Sequence, residues 1–316
     1  MKLSVALCTY NGEKFIEKQI NSILNQSVMI DEIVVCDDQS TDNTIEILKK
    51  LQSEHSAIII IENENNLKST KNFEKAVSLC TGDFIFLSDQ DDVWNEQKVE
   101  KTLAVFKKNL TAEGVFSNAN LIDDNNLVFS DKTIWDSVFF LENELKKPID
   151  FFDIIAKNGN VVTGATLCIK KEIKSFIIPF SEEIIHDEWI ATLLALRKTL
   201  FYSKENLISY RIHNNQQVGM KNLDKIEKTT HKKRIILGLE QPKKFSDYRI
   251  LYKKMFLKEK ELININKYNF DFLNLNKLII QSGIELDELR NIMKKKFQLQ
   301  YQMTTLIDSI LGKRKL

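Results

Sequence analysis

The chain has 316 residues, 43% of them apolar and 28% charged, with 9 glycines and 3 prolines. That composition provides for a large buried core and excludes collagen-like, low-complexity and disordered classes. The formal net charge of +1 conceals a polarity: residues 1–220 hold 23 Lys+Arg against 33 Asp+Glu (−10), and residues 221–316 hold 22 against 11 (+11), which suggests two parts with different tasks.

In chain order, Leu3–Cys8 reads as a buried strand. Glu13–Leu24 reads as a helix with Phe15, Ile16, Ile20, Ile23 and Leu24 at helical spacing. Glu32–Cys36 is a strand ending in Asp37-Asp38, and Ser40-Thr41-Asp42 can cap a helix running through Ile45, Ile47, Leu48 and Leu51. Strands over Ala57–Ile61, Asp83–Leu87 and Gly114–Ser117 alternate with helices over Asn72–Cys80 and Glu96–Lys107. Further on, Val161–Ile169 reads as strand around a Gly164-Ala165-Thr166 turn, Asp187–Leu196 as a helix, and Leu200–Ser203 and Leu207–Arg211 as short strands. Beyond Gly219 the pattern is helical and lysine-rich, and Phe297–Leu311 is apolar at helix spacing before Gly312-Lys313-Arg314-Lys315. Short apolar strands alternating with amphipathic helices predict an α/β, Rossmann-like fold with a mostly parallel sheet and flanking helices, followed by a C-terminal helical region. The expected domains are 1–219, catalytic, and 220–316, basic and mainly helical.

Ligands in such sheets bind outside the carboxyl ends of the strands. Thr9-Tyr10-Asn11, Asp37-Asp38 and Asp89-Gln90-Asp91-Asp92 all fall there. Asp89 and Asp91, two apart, point to the same side of an extended chain. Three acids in four residues repel one another unless a hard cation offsets them. From these residues alone a metal site and a solvated acidic turn stand equally open.

The four cysteines, Cys8, Cys36, Cys80 and Cys168, are far apart in apolar contexts. With no CxxC or Cys/His spacing they read as buried thiols in a reducing compartment. Leu3–Cys8 is too short for a signal peptide, and no run approaches the roughly 18 apolar residues of a membrane span. The expected location is the cytoplasm, free or peripheral on the inner face of the cell membrane.

Five ordered motifs over residues 1–219 carry a family resemblance. They are Val5-Ala6-Leu7-Cys8-Thr9-Tyr10-Asn11-Gly12, Val34-Val35-Cys36-Asp37-Asp38-Gln39-Ser40-Thr41-Asp42-Asn43-Thr44, Thr81 to Trp94 with its Ser88-Asp89-Gln90-Asp91-Asp92-Val93-Trp94 core, His186-Asp187-Glu188-Trp189, and Tyr210-Arg211-Ile212-His213-Asn214-Asn215. The chain resembles the family 2 glycosyltransferases of GT-A fold, and its third and fifth motifs look most like the bacterial rhamnosyltransferase-like branch, which decorates surface polysaccharides. The resemblance implies an inverting, metal-dependent enzyme that moves a sugar from a nucleotide-sugar, dTDP-rhamnose or a UDP-hexose, to a glycan acceptor that can be lipid-linked. It implies that Thr9 and Asn11 line the nucleotide pocket and that Asp38, supported by Asp37, accepts a hydrogen bond from the pyrimidine. Asp89 would lie near the ribose and metal, Asp91 would ligate Mn²⁺ or Mg²⁺, and Asp187 would be the catalytic base. Arg211 and His213 would meet the diphosphate and metal. Gln90 and Gln39 depart from the family's common small residues, as the rhamnosyltransferase-like branch also does.

Inverting glycosyl transfer needs one base for the acceptor hydroxyl, a cation for the leaving diphosphate and a pocket that fixes the line of attack. Read without the family, Asp187 is better explained by a helix N-terminus that favours negative charge; the resemblance reverses that preference. Glu188 is the alternative base, and Trp94 and Trp189 could stack on sugars or simply pack. Two other enzyme classes lack their motifs here. A nucleotidyltransferase needs a glycine- and lysine-rich phosphate loop, which Thr9-Tyr10-Asn11-Gly12 is not, and a dinucleotide oxidoreductase needs GxGxxG, which follows no strand. A non-catalytic nucleotide-sugar-binding protein of the same fold is the other alternative. For the basic region a solvated face, an anionic lipid surface and a dimer contact are all open; no nucleic-acid module accompanies the charge.

Overall fold

The computed structural model describes residues 1–316 except 141, 214–224, 269, 271–274 and 311–316, and only the backbone of 225–230, 309 and 310. The chain divides into two compact units, Met1–Phe140 with Asn160–Leu223, and Leu141–Gly159 with Asp224–Leu316.

The first unit begins β1 (Leu3–Thr9), α1 (Ile16–Leu24), β2 (Glu32–Asp37), α2 (Thr44–Glu54), β3 (Ile58–Glu62), α3 (Lys68–Leu79) and β4 (Phe84–Ser88). It continues with β5 (Val93–Trp94), α4 (Lys98–Lys108), β6 (Gly114–Ile122), β7 (Val128–Thr133) and α5 (Ile134–Val138). The chain then passes through α6 (Phe151–Asn158), part of the second unit, and returns by a 3₁₀ turn at Gly164–Thr166 to β8 (Cys168–Lys170), α7 (Lys174–Ile177), α8 (His186–Leu196) and β9 (Leu200–Arg211).

The sheet order is β3-β2-β1-β4-β8-β6-β9-β5, with β7 on β6. The first four strands are mutually parallel, as the alternating pattern predicts. Beyond β4 the sheet is mixed: β8 runs antiparallel to both β4 and β6, β6 and β9 are parallel, and β5 and β7 are antiparallel edge pairings. β8 is short because most of the stretch expected as strand around Gly164 is used otherwise: Thr166 folds back on Thr163, its amide and hydroxyl both donating to that carbonyl. β9 is one 12-residue strand where two short ones were expected, carried along β6 by register shifts near Ser117 and Asn118.

Val5, Leu7, Ile33, Val35, Ile85 and Leu87 have no exposure and form the middle of the sheet. At about 1.5–3 kcal/mol for each fully buried side chain, such residues hold the parallel block. α1 covers it with Ile16, Ile20 and Ile23, three buried residues on one helical face. Register pairs Leu7 with Val35 and Ser88, and Thr9 with Asp37, so the polar ends of β1, β2 and β4 share one edge. The cysteines are free thiols, three buried and Cys8 partly so.

In the second unit α6 and four helices follow one another: α9 (Lys225–Ile236), α10 (Phe245–Asn266), α11 (Leu275–Lys296) and α12 (Gln298–Ile310). Tyr248, Tyr252, Met255, Leu286, Met293 and Tyr301 form their core. Asp150 caps α6 by accepting from the Asp153 amide, and Asp153 takes ion pairs from Lys157 and Lys258. Residues 141–159 therefore join the helical unit although they precede β8 and β9 in sequence. No helix among the described residues is long and apolar enough to cross a membrane.

Candidate active site

Each parallel strand hands the chain to a loop held by side chains from its neighbours. At the end of β2 the Asp37 carboxylate accepts from Thr9 Oγ1 at 2.7 Å and from the Ser40 amide and hydroxyl at 2.9 and 2.5 Å. Thr9 is thus turned onto Asp37. The buried Asp38 accepts from Asn63 Nδ2 at 2.9 Å and from the amides of Leu67 and Lys68 at 2.7 and 2.8 Å. Asn63 in turn donates to Asn72 Oδ1, and Asn72 to the Cys36 carbonyl. Nothing in the sequence pattern pointed to this asparagine network. Asn11 Oδ1 accepts from the Thr41 amide at 2.8 Å while its own amide donates to Ser40 Oγ. Asn11, Gln39 and Lys68 all have positive φ, at 49°, 68° and 62°. Three strained non-glycine residues follow β1, β2 and β3 on the same edge, the kind of clustering that marks ligand-holding loops.

The acid loop after β4 is tied on both sides. Gln90, noted only as a departure from a small residue, donates to the Tyr10 carbonyl at 3.1 Å and accepts from the Tyr10 amide at 2.8 Å. A Cβ on Gly12 would lie 2.4 Å from Gln90 Oε1, so glycine is required there for the amide to sit. Asp91 Oδ2 meets His213 Nε2 at 2.8 Å. Asp92 is buried, with Oδ1 accepting from the Arg211 amide and Oδ2 without a partner among the described residues. Burial first, then Asp91 and Asp89, drives the Asp92 carboxyl well above the usual carboxylate range. Asp89 is pushed up to about 7 by burial and by the charges of Asp91 and Asp187.

Arg211 is fully buried. Its guanidinium donates to the carbonyls of Asp91 at 2.6 Å and Asp123 at 2.5 Å and to Asn126 Oδ1 at 2.6 Å, and it lies 4.3 Å from the centre of the Phe15 ring. The structure thus places this expected diphosphate contact as a tether between the acid loop and the β6–β7 turn. His213 packs beside the same Phe15 ring. Asn214 and Asn215 of the fifth motif lie outside the described residues.

Asp187 sits in the first turn of α8, whose N-cap is Ile185. Its carboxylate accepts from Asn160 Nδ2 and the Gly164 amide, both at 3.0 Å, and from the Glu188 amide at 2.7 Å. Burial raises it to about 7 against the pull of these amides. Asn160 and Gly164 were not singled out as Asp187 partners in the sequence. Glu188 is also raised by burial. His186 is held neutral, at about 3, by burial; it stacks on Phe73 at 4.0 Å, and neither ring nitrogen has a hydrogen-bond partner among the described residues. The tryptophans pack: Trp189 has no exposure and donates to the Ile177 carbonyl, and Trp94 is buried against Phe86.

Under the acid loop lies Lys98, fully buried at the start of α4. Its ammonium is brought down to about 7 by burial, opposed by Asp92, Cys168 and Asp89. The sequence pattern marked it only as one charge in a helix.

Among the described residues no three His, Cys, Asp or Glu side chains converge as a ready-made metal cage. The donors present fit a divalent cation bound jointly with a ligand. Asp91 and His213 are in contact, and the crowding of Asp89 and Asp92 leaves negative charge to neutralise. Mg²⁺ in particular is held by one or two carboxylates together with substrate phosphates.

The ends of β1, β2 and β4 thus carry buried, hydrogen-bonded acids, and Asp187, a carboxyl raised to about 7, belongs to the same unit. The sequence pattern of Glycosyl transferase family 2 matches residues 4–159. The dTDP-rhamnosyl transferase RfbG of Shigella flexneri is 31% identical over 227 residues, covering 67% of this chain and 73% of RfbG. A glycosyltransferase of Haemophilus influenzae is 27% identical over 230 residues, 71% of this chain and 70% of that one. The structure of S. aureus TarS 1-349 in complex with UDP-GlcNAc superposes with a TM-score of 0.53 at 18% identity, over 81% of this chain and 72% of TarS 1-349. The chain belongs to glycosyl transferase family 2 and is a glycosyltransferase of GT-A fold with a helical C-terminal region.

Proposed function

We propose that this glycosyltransferase inverts configuration, uses Mn²⁺ or Mg²⁺, and moves a sugar from a nucleotide-sugar to a glycan acceptor in surface polysaccharide assembly. The observation that carries the reading is Asp187, a carboxyl poised near 7 and oriented by Asn160 and Gly164, close enough to the acid loop to raise Asp89. A base of that acidity is matched to removing a proton from an acceptor hydroxyl near neutral pH. One base suffices, because a diphosphate leaves without needing a proton.

Thr9, Asn11, Asp37 and Asp38 form the nucleotide side of the site, with Asp38 the group facing the pyrimidine. Asp89 and Asp91, with His213, hold the cation, which when bound would offset the charge that develops on the leaving diphosphate. Arg211 keeps the Asp91 backbone in place and lends positive charge behind it. The similarity to RfbG favours dTDP-rhamnose as donor, and UDP-hexoses are the alternative. The test is a thermal-shift and transfer panel of dTDP-rhamnose, UDP-glucose, UDP-galactose and UDP-GlcNAc with and without Mn²⁺. A bound donor raises the melting temperature by mass action; no shift with any donor in the presence of Mn²⁺ would overturn the reading.

The second unit, with the basic region 220–316, would bring the enzyme to the inner face of the cell membrane, where a lipid-linked acceptor lies. Leu299, Met303, Leu306 and Ile307 are exposed along α12 at helical spacing, directly after the exposed Lys294, Lys295 and Lys296. An apolar stripe beside cations suits an anionic lipid surface. Lys313, Arg314 and Lys315 lie outside the described residues.

A further inference from the structure

A lysine with no exposure requires an explanation, because burying an ammonium is unfavourable unless it is paired and hydrogen-bonded. Lys98 has three kinds of partner. Its Nζ donates to the Ala165 carbonyl at 2.6 Å, sits 3.7 Å from the centre of the Trp94 ring, and faces the carboxyls of Asp92 and Asp89. Counter-charge alone would account for the carboxyls. The bond to Ala165 reaches elsewhere, to the Gly164–Thr166 turn.

That turn bears directly on Asp187. The Gly164 amide donates to Asp187 Oδ2 at 3.0 Å. The turn is also pressed close: a Cβ on Gly164 would lie 2.8 Å from His186 Nε2 and 3.5 Å from Asp187 Cβ. No slack separates turn and carboxylate, so a shift of the turn is a shift of the hydrogen bond. The Ala165 carbonyl shares its peptide plane with the Thr166 amide, which donates to the Thr163 carbonyl, and that carbonyl shares its plane with the Gly164 amide, so the closed turn couples the two.

We propose that Lys98 is a positioning residue for sugar transfer: its buried ammonium anchors the Gly164–Thr166 turn and, through the Gly164 amide, sets the orientation of the Asp187 carboxylate. The role rests on Asp187 acting as the base.

The groups facing Asp187 are Glu188 on its own helix, Asp89 at the end of β4, Tyr210 on β9 and the neutral His186 beside it. Of these, removing Lys98 acts directly on Asp89 alone, whose carboxyl rises further; a more protonated Asp89 repels Asp187 less and moves it downward, opposite to the shift expected from the turn. The amide bond from Gly164 favours the ionised form of Asp187, so weakening it moves the carboxyl upward.

The experiment is the pH profile of kcat/KM for Lys98→Met, beside wild type and Asp187→Asn. Methionine keeps the length and apolar volume of the stem and removes the ammonium. The expected result is a folded variant whose acid limb moves up by about one pH unit, the effect of losing one hydrogen bond to a carboxylate, while donor KM changes less than about threefold. If Lys98→Met does not fold, Trp94→Leu removes the ring beneath the ammonium and is expected to move the limb in the same direction by less. An unmoved acid limb in a folded variant, with Asp187→Asn inactive, overturns the positioning role and leaves the base intact; Lys98 is then only a counter-charge. Substantial transfer by Asp187→Asn overturns the base itself and the positioning role with it.

Discussion

Gln90 and Tyr10 hold each other through two hydrogen bonds, side-chain amide to main chain, across 80 positions of sequence. The loop after β1 and the acid loop after β4 are therefore tied to each other at the edge where the nucleotide would lie. Replacing Gln90 with alanine removes both bonds, each worth about 1 kcal/mol net. Donor affinity should fall by roughly tenfold, with the melting temperature changed by only a few degrees. Titration calorimetry with the donor and Mn²⁺ measures this, and an unchanged affinity would show that the two loops do not need each other.

Asp187→Asn keeps the shape and can still accept from Gly164, but it cannot take a proton. Donor binding should be retained while transfer falls by about a hundredfold or more. In the wild type, a base at about 7 predicts that kcat/KM rises with pH through 7 and levels off above it, because only the ionised form acts. Loss of that limb in the asparagine variant's residual activity is the accompanying signature. A fall of only a few-fold would transfer the role to Glu188.

Asp91→Ala leaves His213 without its 2.8 Å partner and removes one of the cation's expected ligands. Mn²⁺-dependent donor binding should disappear, while any metal-independent binding of the nucleotide persists. Calorimetry with and without EDTA separates the two contributions. Equal affinity in both conditions for wild type would rule out a cation held here.

Glu32 shows a stability effect at the opposite end of the sheet. Burial raises its carboxyl, but Lys2 Nζ, Ser4 Oγ and the amide and hydroxyl of Thr81 outweigh this and hold it at about 2. With the folded value depressed below the ordinary 4.5, the contribution is full above about pH 4.5 and is lost as pH falls through 2. Its size is on the order of 3 kcal/mol. Glu32→Gln should lower stability by about that amount at pH 7 and flatten the pH dependence between 2 and 4.5, as measured by urea unfolding. A variant as stable as wild type at pH 7 would mean that the cluster is neutral in its net effect.

The exposed face of α12 gives a membrane prediction. Wild type should pellet with anionic vesicles at low salt, less at physiological ionic strength where the Debye length is about 8 Å, and little with neutral vesicles. Met303→Glu with Leu306→Glu should abolish pelleting without loss of soluble transfer. Equal, negligible pelleting with both vesicle types would leave the face to a second copy of the chain or to solvent.

The amino-acid sequence by itself determined the repeating strand and helix units of residues 1–120 and the polar character of the strand ends, because a periodicity of two or 3.6 and a terminal acid cluster are local properties. The boundaries drift by a few residues: α3 begins at Lys68 rather than Asn72, and α1 at Ile16 rather than Glu13. Asp37, Asp38, Asp89 and Asp91 stand out as acids at strand ends, whereas Thr9 and Asp187 are singled out only by the family resemblance. Tertiary structure alone decided what each one touches. The sheet order put β8 antiparallel against β4, brought the Gly164 turn over Lys98 and onto Asp187, buried the guanidinium of Arg211 against the carbonyls of Asp91 and Asp123, and grouped residues 141–159 with the C-terminal helices. These pairings join residues tens to more than a hundred positions apart. Local pattern carries no record of them, because a side chain's periodicity states which face it occupies and not which distant element arrives to cover it.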